Sequence, residues 1–322
     1  MKDIRIILLT ASILFLTGCA AETKHSSSKN EAISVNEQAA ESLEYEEISP
    51  IIEADDAKIG YLGPEGTYTQ EACGVFFDGK GSYTPYETVT EAVDALINGE
   101  STFAVIPQEN TIGGAVTDYV DILISQESVS VIGEVELPID QNLLVLPGTE
   151  GTQIKTIYSH KQGIAQGKEW IDANLPDAEV IEVSSTAEGA KKVSEGGDKS
   201  CAAIASAASA DVYGLDIFAA AIQNNDSNKT RFYVLSTGQP PTTKAERTAF
   251  IAKGDAQDLP KLMSRLEELS IKLEAIHDRP RKTELGEYSY VIECKDMPYS
   301  KYTELCKDTA FDMRFLGCFD VK

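Results

Sequence analysis

The stretch Asn228-Lys229-Thr230-Arg231-Phe232-Tyr233-Val234-Leu235 joins a polar turn to an apolar run. The residues just before it are asparagine, aspartate and serine, which favour turns, whereas its last residues favour β-strands. The stretch therefore predicts a loop that leads into a strand, with a hydroxyl and a guanidinium where the strand begins. By itself the tripeptide Thr-Arg-Phe is weak evidence of function, because short motifs often match by chance.

Short apolar runs alternate with helical patterns upstream of this stretch, which is typical of layered α/β folds. Several predicted helices begin with a capping-box pattern, in which Ser or Thr precedes Gln or Glu by three residues. These are Thr67-x-x-Gln70, Thr88-x-x-Glu91, Ser159-x-x-Gln162 and Ser185-x-x-Glu188. One such box indicates only the start of a helix. A cleft ringed by several helix N-termini could hold a dianion without many Lys or Arg side chains.

Other motifs precede Thr-Arg-Phe in a fixed order, and the ordered set is more specific than any one motif. They are Gly63-Pro64-Glu65-Gly66-Thr67-Tyr68-Thr69, Pro107-Gln108-Glu109-Asn110-Thr111, Gly113-Gly114-Ala115-Val116, Gly133-Glu134 with Leu137-Pro138-Ile139, Ser159-His160-Lys161-Gln162, and Ser185-Thr186-Ala187. From about Lys58 to Leu235 this set resembles the prephenate dehydratase family. The resemblance implies a lyase of phenylalanine biosynthesis that converts prephenate to phenylpyruvate, with loss of carbon dioxide and water and without a cofactor or metal.

The resemblance also implies roles for individual residues. Thr230 matches the family's catalytic threonine, whose hydroxyl helps the departing oxygen, and Glu109 and Asn110 match its catalytic Glu-Asn pair. The expected substrate-binding residues are Thr67, Thr111, Gly114, Ser159, Ser185, Thr186, Arg231 and Phe232. Of these, Arg231 either faces the anionic substrate or holds the loop, and Phe232 packs as core or as a wall of the site.

Three positions depart from the family pattern. The usual Glu-Asn-Ser is Glu109-Asn110-Thr111 here, and the usual Ser-His-Pro-Gln is Ser159-His160-Lys161-Gln162. Gln141 stands where a histidine often follows Leu-Pro-Ile. These changes preserve the reaction class and leave the substrate open, with arogenate, the amino analogue of prephenate, as the alternative.

Residues 246–322 predict the order βαββαβ, which is the ferredoxin-like arrangement. Together with Arg279-Pro280 and Gly286-Glu287-Tyr288, this order resembles an ACT regulatory domain, which binds phenylalanine in this family. The family's effector motif Glu-Ser-Arg-Pro is replaced by His277-Asp278-Arg279-Pro280, so we expect weak or altered feedback by phenylalanine. The alternative is a domain kept for dimerisation, and a homodimer is expected because relatives pair through this domain.

The expected fold class is therefore α/β, with a two-lobed catalytic domain at 58–238 that is similar to periplasmic binding proteins, followed by the ACT-like domain at 246–322. The start of the chain predicts export. Lys2 and Arg5 precede an apolar run that is too short to span a membrane, and the run ends in Leu16-Thr17-Gly18-Cys19. This pattern resembles a bacterial lipoprotein signal at 1–18 that is cleaved before a lipidated Cys19, which would anchor the protein outside the cytoplasm. An ordinary secretory signal that contains a cysteine is the alternative.

Residues 19–57 are predicted to be a disordered tether, because Ala20 to Ala57 contain ten acidic and two basic side chains and almost no aromatic ones. The whole chain of 322 residues has a net charge of −24, which argues against nucleic acid and anionic membrane surfaces as electrostatic partners. Apart from Cys19 there are five cysteines without a CxxC motif, so a zinc site is not expected and no disulfide pair is indicated.

A second class of function remains open at this point. A lipoprotein with two lobes could be a solute-binding receptor for an aromatic or carboxylate ligand, because fold does not settle function. A receptor has no need of the Thr230, Glu109 and Asn110 trio, and receptors do not usually carry an ACT-like segment. The sequence therefore favours the enzyme.

Overall fold

A computed structural model of the chain describes residues 47–322, except for the side chains of Ala115 and Thr117. The predicted signal peptide, Cys19 and residues 19–46 of the predicted tether lie outside the described residues. The α-helices and strands of residues 47–214 are β1 (Lys58–Leu62), α1 (Tyr68–Phe76), β2 (Ser82–Tyr86), α2 (Val89–Ile97), β3 (Phe103–Asn110), β4 (Gly114–Ala115), α3 (Thr117–Ser125), β5 (Ser130–Pro138), β6 (Asn142–Val145), β7 (Thr156–Ser159), α4 (Lys161–Asn174), β8 (Glu179–Glu182), α5 (Thr186–Gly196), β9 (Cys201–Ala205) and α6 (Ala207–Tyr213). The remaining elements are β10 (Asp216–Ala219), β11 (Lys229–Ser236), β12 (Arg247–Asp255), α7 (Leu259–Glu268), β13 (Lys272–Pro280), β14 (Glu287–Lys295), α8 (Tyr299–Leu305) and β15 (Asp312–Phe319).

The first lobe is built on a sheet with the strand order β2-β1-β3-β11-β5, in which β4 also pairs with β3. Strands β1, β2 and β3 are parallel, whereas β11 runs antiparallel to both β3 and β5. The stretch that contains Thr-Arg-Phe is thus a central strand of this sheet. Its residues Tyr233, Val234 and Leu235 are fully buried, as their apolar character predicts.

The second lobe is a five-stranded sheet with the order β10-β6-β9-β7-β8. The chain enters this lobe between β5 and β6, and it returns to the first lobe between β10 and β11. The predicted two-lobed α/β architecture is therefore present. Because β11 is the return strand, its first residues lie where the two lobes meet.

The C-terminal sheet has the order β13-β14-β12-β15, with every neighbouring pair antiparallel, and the predicted element order βαββαβ is present. Alternate residues of β12 face opposite sides of this sheet. Phe250 packs against the sheet's own helices, whereas Ile251 belongs to the same buried cluster as Val131 and Leu235 of the first lobe. The first lobe therefore covers the face that the sheet's helices leave open.

The end of the chain strengthens this contact. The backbone N–H of Glu134 in β5 donates to the carbonyl of Asp320 at 3.1 Å, and the N–H of Lys322 donates to the carbonyl of Glu134 at 2.9 Å. The described residues form one compact unit. The division at 238–246 that the sequence predicts stays a prediction.

The last residues of the predicted tether contact the folded body. The backbone N–H of Ile48 donates to the Thr242 hydroxyl at 2.7 Å, and the hydroxyls of Ser49 and Thr243 are 2.7 Å apart. The described end of the tether is thus held against the segment that precedes β12.

The five cysteines in the described part of the chain are all free, and Cys73, Cys294 and Cys318 are buried. Burial raises the pKa of the Cys294 thiol to about 12, as expected for a small side chain in an apolar environment. No helix within residues 47–322 has the length and apolar character needed to cross a membrane.

Candidate active site

A cavity of about 280 Å³ lies between the two lobes. Its walls come from the ends of β3 and β11 on one side and from the starts of α4 and α5 on the other. It is lined by Tyr68, Pro107, Asn110, Val116, Ile139, Gln141, His160, Gln162, Gly163, Gln166, Ser184, Ser185, Thr186 and Thr230. None of these lining residues is Lys, Arg, Asp or Glu. The cavity therefore offers amides, hydroxyls and helix N-termini rather than fixed side-chain charges.

Asn110, the last residue of β3, connects the two sides of the cavity. Its side-chain Nδ2 donates to the Thr230 hydroxyl at 2.9 Å and to the side-chain oxygen of Asn228 at 2.8 Å. Its Oδ1 accepts a hydrogen bond from Gln162 Nε2 in α4 at 3.0 Å. Asn110 thus links β11 of the first lobe to α4 of the second.

Thr230 lies directly opposite Asn110 in the pairing of β11 with β3. Since the Thr230 oxygen accepts the proton of Asn110, the hydroxyl hydrogen of Thr230 remains available to donate elsewhere. Thr230 lines the cavity. The arrangement can therefore present a hydrogen-bond donor to an oxygen atom of a bound molecule.

The opposite wall is formed by the N-termini of α4 and α5. Ser185 caps α5 by accepting from the N–H of Glu188 at 3.0 Å, which agrees with the capping box read from the sequence. Gly163 lies in the first turn of α4, where an added Cβ would stand only 3.1 Å from Thr186 Cγ2. The two helix N-termini are therefore close together, and both contribute residues to the cavity.

The expectation for Ser159 needs correction. Ser159 is fully buried and its hydroxyl donates to the carbonyl of Ile204 at 2.7 Å, so it neither caps α4 nor lines the cavity. The cap is His160, whose Nδ1 accepts from the N–H of Gln162 at 3.4 Å, because helix α4 begins one residue later than the capping box requires. The sequence pattern was correct about the helix and wrong about its cap.

Glu109 and Arg231 also lie away from the cavity wall, contrary to their expected roles in catalysis and substrate binding. Successive side chains of a strand point to opposite faces of the sheet. Because Asn110 and Thr230 face the cavity, their neighbours Glu109 and Arg231 face the other side. There Arg231 pairs with Glu109 at 3.3 Å, so of its two expected roles the structure favours the one that holds the strand.

Arg231 sits in a buried ionic cluster beneath β11. Its Nε and Nη2 donate to the two carboxylate oxygens of Glu134 at 2.8 and 2.6 Å, and Nη2 also contacts Glu293 of β14. The Glu293 carboxylate accepts further hydrogen bonds from the Tyr233 hydroxyl and from the amide of Gln108. The side chains of Glu134 and Glu293 are fully buried, so the C-terminal sheet supplies one of the ions beneath the candidate catalytic strand.

The charges of this cluster are unequal, with three carboxylates around one guanidinium. Burial raises the pKa of Glu134, and hydrogen bonds from Arg231 counteract that rise only in part. Burial favours loss of the Arg231 proton, but the surrounding carboxylates outweigh it and raise the pKa of Arg231. Arg231 is therefore the cation that compensates the charge of these buried carboxylates.

Four further residues that were expected to bind the substrate lie outside the cavity lining. Thr67 donates its hydroxyl to the carbonyl of Leu62 at 3.2 Å and leaves α1 without a side-chain cap, and Thr111 accepts from the backbone N–H of Lys229 at 3.0 Å. Gly114 is exposed with φ of +74°, and Phe232 is 2% exposed and packs as core. None of these four residues lines the cavity.

The backbone turn at Gly66, just before α1, contacts the second lobe. Gly66 has φ of +81°, and its carbonyl accepts hydrogen bonds from the hydroxyls of Ser206 at 3.0 Å and Ser209 at 2.7 Å. An added Cβ at Gly66 would stand 3.0 Å from the Ser209 hydroxyl. The turn at Gly66 therefore brings its backbone against the start of α6 in the second lobe.

Four residues of the expected effector segment lie on β13: His277, Asp278, Arg279 and Pro280. Arg279 forms a bidentate ion pair with Asp121 of α3, at 2.7 and 3.0 Å. The His277 ring packs edge-on against Tyr119 of α3, with 5.9 Å between the ring centroids. Both side chains therefore contact the first lobe.

Some lining residues were absent from the sequence-based expectation, chiefly Tyr68, Gln141 and Gln166. Tyr68 donates its hydroxyl to the carbonyl of Asp140 at 2.6 Å, and burial raises its pKa. Glutamines carry no pattern that marks them as binding residues. Gln141 was noticed only because it departs from the family pattern.

Comparison with known proteins identifies clear relatives. The family model described as prephenate dehydratase matches residues 59–240. The prephenate dehydratase of Bacillus subtilis (strain 168) is 32% identical over 252 residues, which cover 73% of this chain and 87% of that protein. The bifunctional chorismate mutase/prephenate dehydratase of Stutzerimonas stutzeri is 34% identical over 239 residues, which cover 74% of this chain but only 65% of that protein. The crystal structure of prephenate dehydratase from Arthrobacter aurescens in complex with L-Phe superposes with a TM-score of 0.72, at 29% identity, and covers 82% of this chain and 89% of that one.

Proposed function

This chain belongs to the prephenate dehydratase family, and we propose that it catalyses the conversion of prephenate to phenylpyruvate. The observation that carries the proposal is the hydrogen bond from Asn110 to Thr230 at the cavity wall. It holds the Thr230 oxygen as an acceptor and so directs the hydroxyl proton outward. The buried pair of Arg231 with Glu134 fixes the strand from behind.

The reaction breaks two bonds of prephenate. Loss of the ring carboxylate as carbon dioxide leaves an electron pair that enters the ring, and the bond to the ring hydroxyl breaks on the opposite side. The departing hydroxide takes up one proton and leaves as water, and the ring becomes aromatic. A donor that is positioned at the departing oxygen stabilises the negative charge that develops there, and such help is worth roughly 10²–10⁴-fold in rate. Thr230 is the residue for this role.

The carboxylates of the substrate need donors, and the cavity supplies them without a lysine or arginine in its lining. Residues of the first turns of α4 and α5 line the cavity, and a helix N-terminus carries about +0.5 of an elementary charge from N–H groups that lack intrahelical partners. The Ser185 and Thr186 hydroxyls lie at the same wall. This wall is therefore the carboxylate-binding side.

The direct test is incubation of the purified mature protein with prephenate, followed by detection of phenylpyruvate. We expect turnover by the unmodified protein and its loss in a Thr230→Ala variant. Tight binding of prephenate without any product would contradict the enzymatic proposal and would favour the solute-binding receptor.

We also propose that the protein is exported and anchored to a membrane through a lipidated Cys19. The support is the sequence Leu16-Thr17-Gly18-Cys19 after a positively charged start and a short apolar run. In a bacterial host, a Cys19→Ser variant should lose incorporation of radioactive palmitate and should leave the membrane fraction. Equal labelling of the variant and the unmodified protein would contradict the anchor at Cys19, and a Cys73→Ser variant serves as the control because Cys73 is buried.

Feedback by phenylalanine is proposed to be weak. Arg279 and His277, which stand in the altered effector motif, contact Asp121 and Tyr119 of the first lobe. We expect micromolar L-phenylalanine to change the dehydratase rate less than about twofold, since the gain from binding would be offset by loss of these contacts. Calorimetry and rate measurements would check this, with the Arthrobacter aurescens enzyme as the positive control for binding. Strong inhibition at micromolar concentrations would contradict the proposal.

A homodimer is proposed from the resemblance alone, because relatives in this family pair through the ACT domain. The C-terminal sheet here has one face on its own helices and the other on the first lobe. A dimer would therefore use the sheet edge or the outer side of the helices. Light scattering of the purified protein measures the assembly directly.

A further inference from the structure

Near the candidate site, strand β3 contains one residue more than its partner β11, and that extra residue is Gln108. In the pairing of the two strands, Arg231 lies opposite Glu109. The next residue of β11, Phe232, lies opposite Pro107, so Gln108 has no partner in β11. Gln108 therefore forms a β-bulge, a feature that changes the face of the sheet to which the following side chains point.

The bulge determines where Asn110 points. Before the bulge the side chains of β3 alternate regularly, with Val105 in one buried cluster and Ile106 in the other. Pro107 continues this alternation and lines the cavity. Asn110 is three residues further on, and strict alternation would turn it to the opposite face, yet it lines the same cavity. The extra residue Gln108 accounts for this difference, so the bulge turns the Asn110 amide toward the cavity.

The C-terminal sheet holds the side chain of the bulged residue. Gln108 is fully buried, and its Nε2 donates to the carboxylate of Glu293 in β14. Only the amide nitrogen can donate to a carboxylate, so this contact also fixes the orientation of the amide. The same carboxylate accepts hydrogen bonds from Arg231 and Tyr233 of β11. One buried carboxylate thus holds the two strands that carry the hydrogen bond of the candidate site.

Charge balance does not explain the presence of Glu293 in this cluster. Arg231 already pairs with Glu134 at 2.6 Å and with Glu109 at 3.3 Å. Glu293 adds a third carboxylate around this guanidinium. Burial of a carboxylate is costly unless hydrogen bonds compensate for the lost water. The hydrogen bonds of Glu293 to both strands therefore indicate a role in geometry.

We propose that Glu293 is a positioning residue of the dehydratase reaction, because it holds the bulge at Gln108 that turns Asn110 toward the cavity. Asn110 in turn donates to the Thr230 hydroxyl at 2.9 Å. The inference rests on the proposed function, in which that hydroxyl donates to the departing oxygen of prephenate. The C-terminal sheet is then required for the chemical step itself as well as for any regulation. Since a misplacement of about 1 Å can lower a rate about 10²-fold, loss of the Glu293 contact should slow turnover.

The contact between Glu293 and Gln108 can be removed from either side. Glu293→Met and Gln108→Met keep roughly the length of the side chain and lose the hydrogen bond. Each is expected to lower kcat for prephenate about 10- to 100-fold while KM stays within about twofold. Gln108→Met leaves the C-terminal sheet unchanged, so it tests the bulge even where Glu293→Met fails to fold.

Glu274→Met is the matched control for these variants. Glu274 of β13 pairs with Arg247 at 2.9 Å and with Lys295, so its ion pairs stay within the C-terminal sheet. The control should retain kcat within about twofold. An unchanged kcat in a folded Gln108→Met variant would overturn the inference and leave the dehydratase proposal intact. Absence of prephenate turnover by the unmodified protein would instead contradict the proposed function and the inference with it.

The Asn110→Ala background separates a positioning role from a purely structural one. Without the Asn110 amide the bulge has nothing to aim, so adding Gln108→Met should lower kcat by less than about threefold. A purely structural residue would lower kcat by the same factor in both backgrounds, because it would reduce the fraction of folded enzyme. Single-turnover measurements with prephenate give the rates, and thermal melting confirms folding. Equal factors in the two backgrounds would overturn the assignment of a positioning role.

Discussion

Replacement of Thr230 by alanine is expected to lower kcat by about 10²–10⁴-fold while KM changes little, because the lost hydrogen bond acts on an oxygen that becomes charged only as its bond breaks. The hydroxyl is already held by Asn110 at 2.9 Å, so no reorganisation is needed when the substrate binds. Steady-state kinetics with both prephenate and arogenate measures the loss. The expected decrease is similar for the two substrates, since both carry the same leaving hydroxyl.

Two further variants separate the hydroxyl from the shape of the side chain. Thr230→Val keeps the branched shape and should lose as much activity as alanine, whereas Thr230→Ser keeps the hydroxyl and should retain activity within about tenfold of the unmodified protein. Thr230 is partly exposed at the start of β11, so none of these changes is expected to prevent folding. A valine variant that remains nearly fully active would show that the hydroxyl takes no part in the reaction.

Most of the fold could be predicted from periodicity. The residue pattern at 161–174 predicts a helix with the bounds that α4 has in the structure, and the predicted order βαββαβ of residues 246–322 is the observed one. Three strands were not predicted: β2 (Ser82–Tyr86), β10 (Asp216–Ala219) and β4 (Gly114–Ala115). Strands β2 and β10 lie at sheet edges and are largely exposed, so they lack the continuous apolar run that marks a buried strand, and β4 has only two residues.

The site was harder to predict because sequence motifs do not indicate which way a side chain points. Asn110 and Thr230 were correctly expected to come together, and they do so because β3 and β11 are neighbours in the sheet. Glu109 and Arg231 are adjacent to them in sequence and were therefore grouped with them, but strand alternation turns both to the opposite face. Knowledge of the strand bounds alone would have separated the two pairs.

Glu293 could not have been found from the sequence at all. It lies 62 residues beyond Arg231, in a segment whose resemblance to an ACT domain implies only a regulatory role. Its place beneath β11 depends on how the C-terminal sheet packs on the first lobe, which is a tertiary property. The same packing explains why Ile251 and Val291 are buried by the first lobe.

Replacement of Arg231 by methionine is expected to reduce the free energy of unfolding by about 3–5 kcal/mol, because it leaves the buried Glu134 and Glu293 without their cation. Arg265→Met is the matched control, since Arg265 pairs with the largely exposed Glu268 and its loss should cost less than about 1 kcal/mol. Urea unfolding of both variants measures the difference. Equal losses in the two variants would show that the cluster contributes no more than a surface ion pair.

The loss of stability in the Arg231→Met variant should depend on pH, with a sign that follows from the pKa of Glu134. Burial already raises the pKa of Glu134, and replacement of Arg231 removes the hydrogen bonds and the nearby charge that most lower it, so Glu134 in the folded variant keeps its proton to higher pH than in the unfolded chain. Stability then falls as pH rises from the unfolded pKa toward the raised folded one, because the unfolded chain binds fewer protons in that window. The loss of stability in Arg231→Met should therefore be smaller at pH 5 than at pH 8.

Adding Glu293→Gln to Arg231→Met removes one of the unpaired charges, so the double variant should be more stable than Arg231→Met alone at pH 8. A further decrease in stability would show that the Glu293 carboxylate remains favourable without its cation.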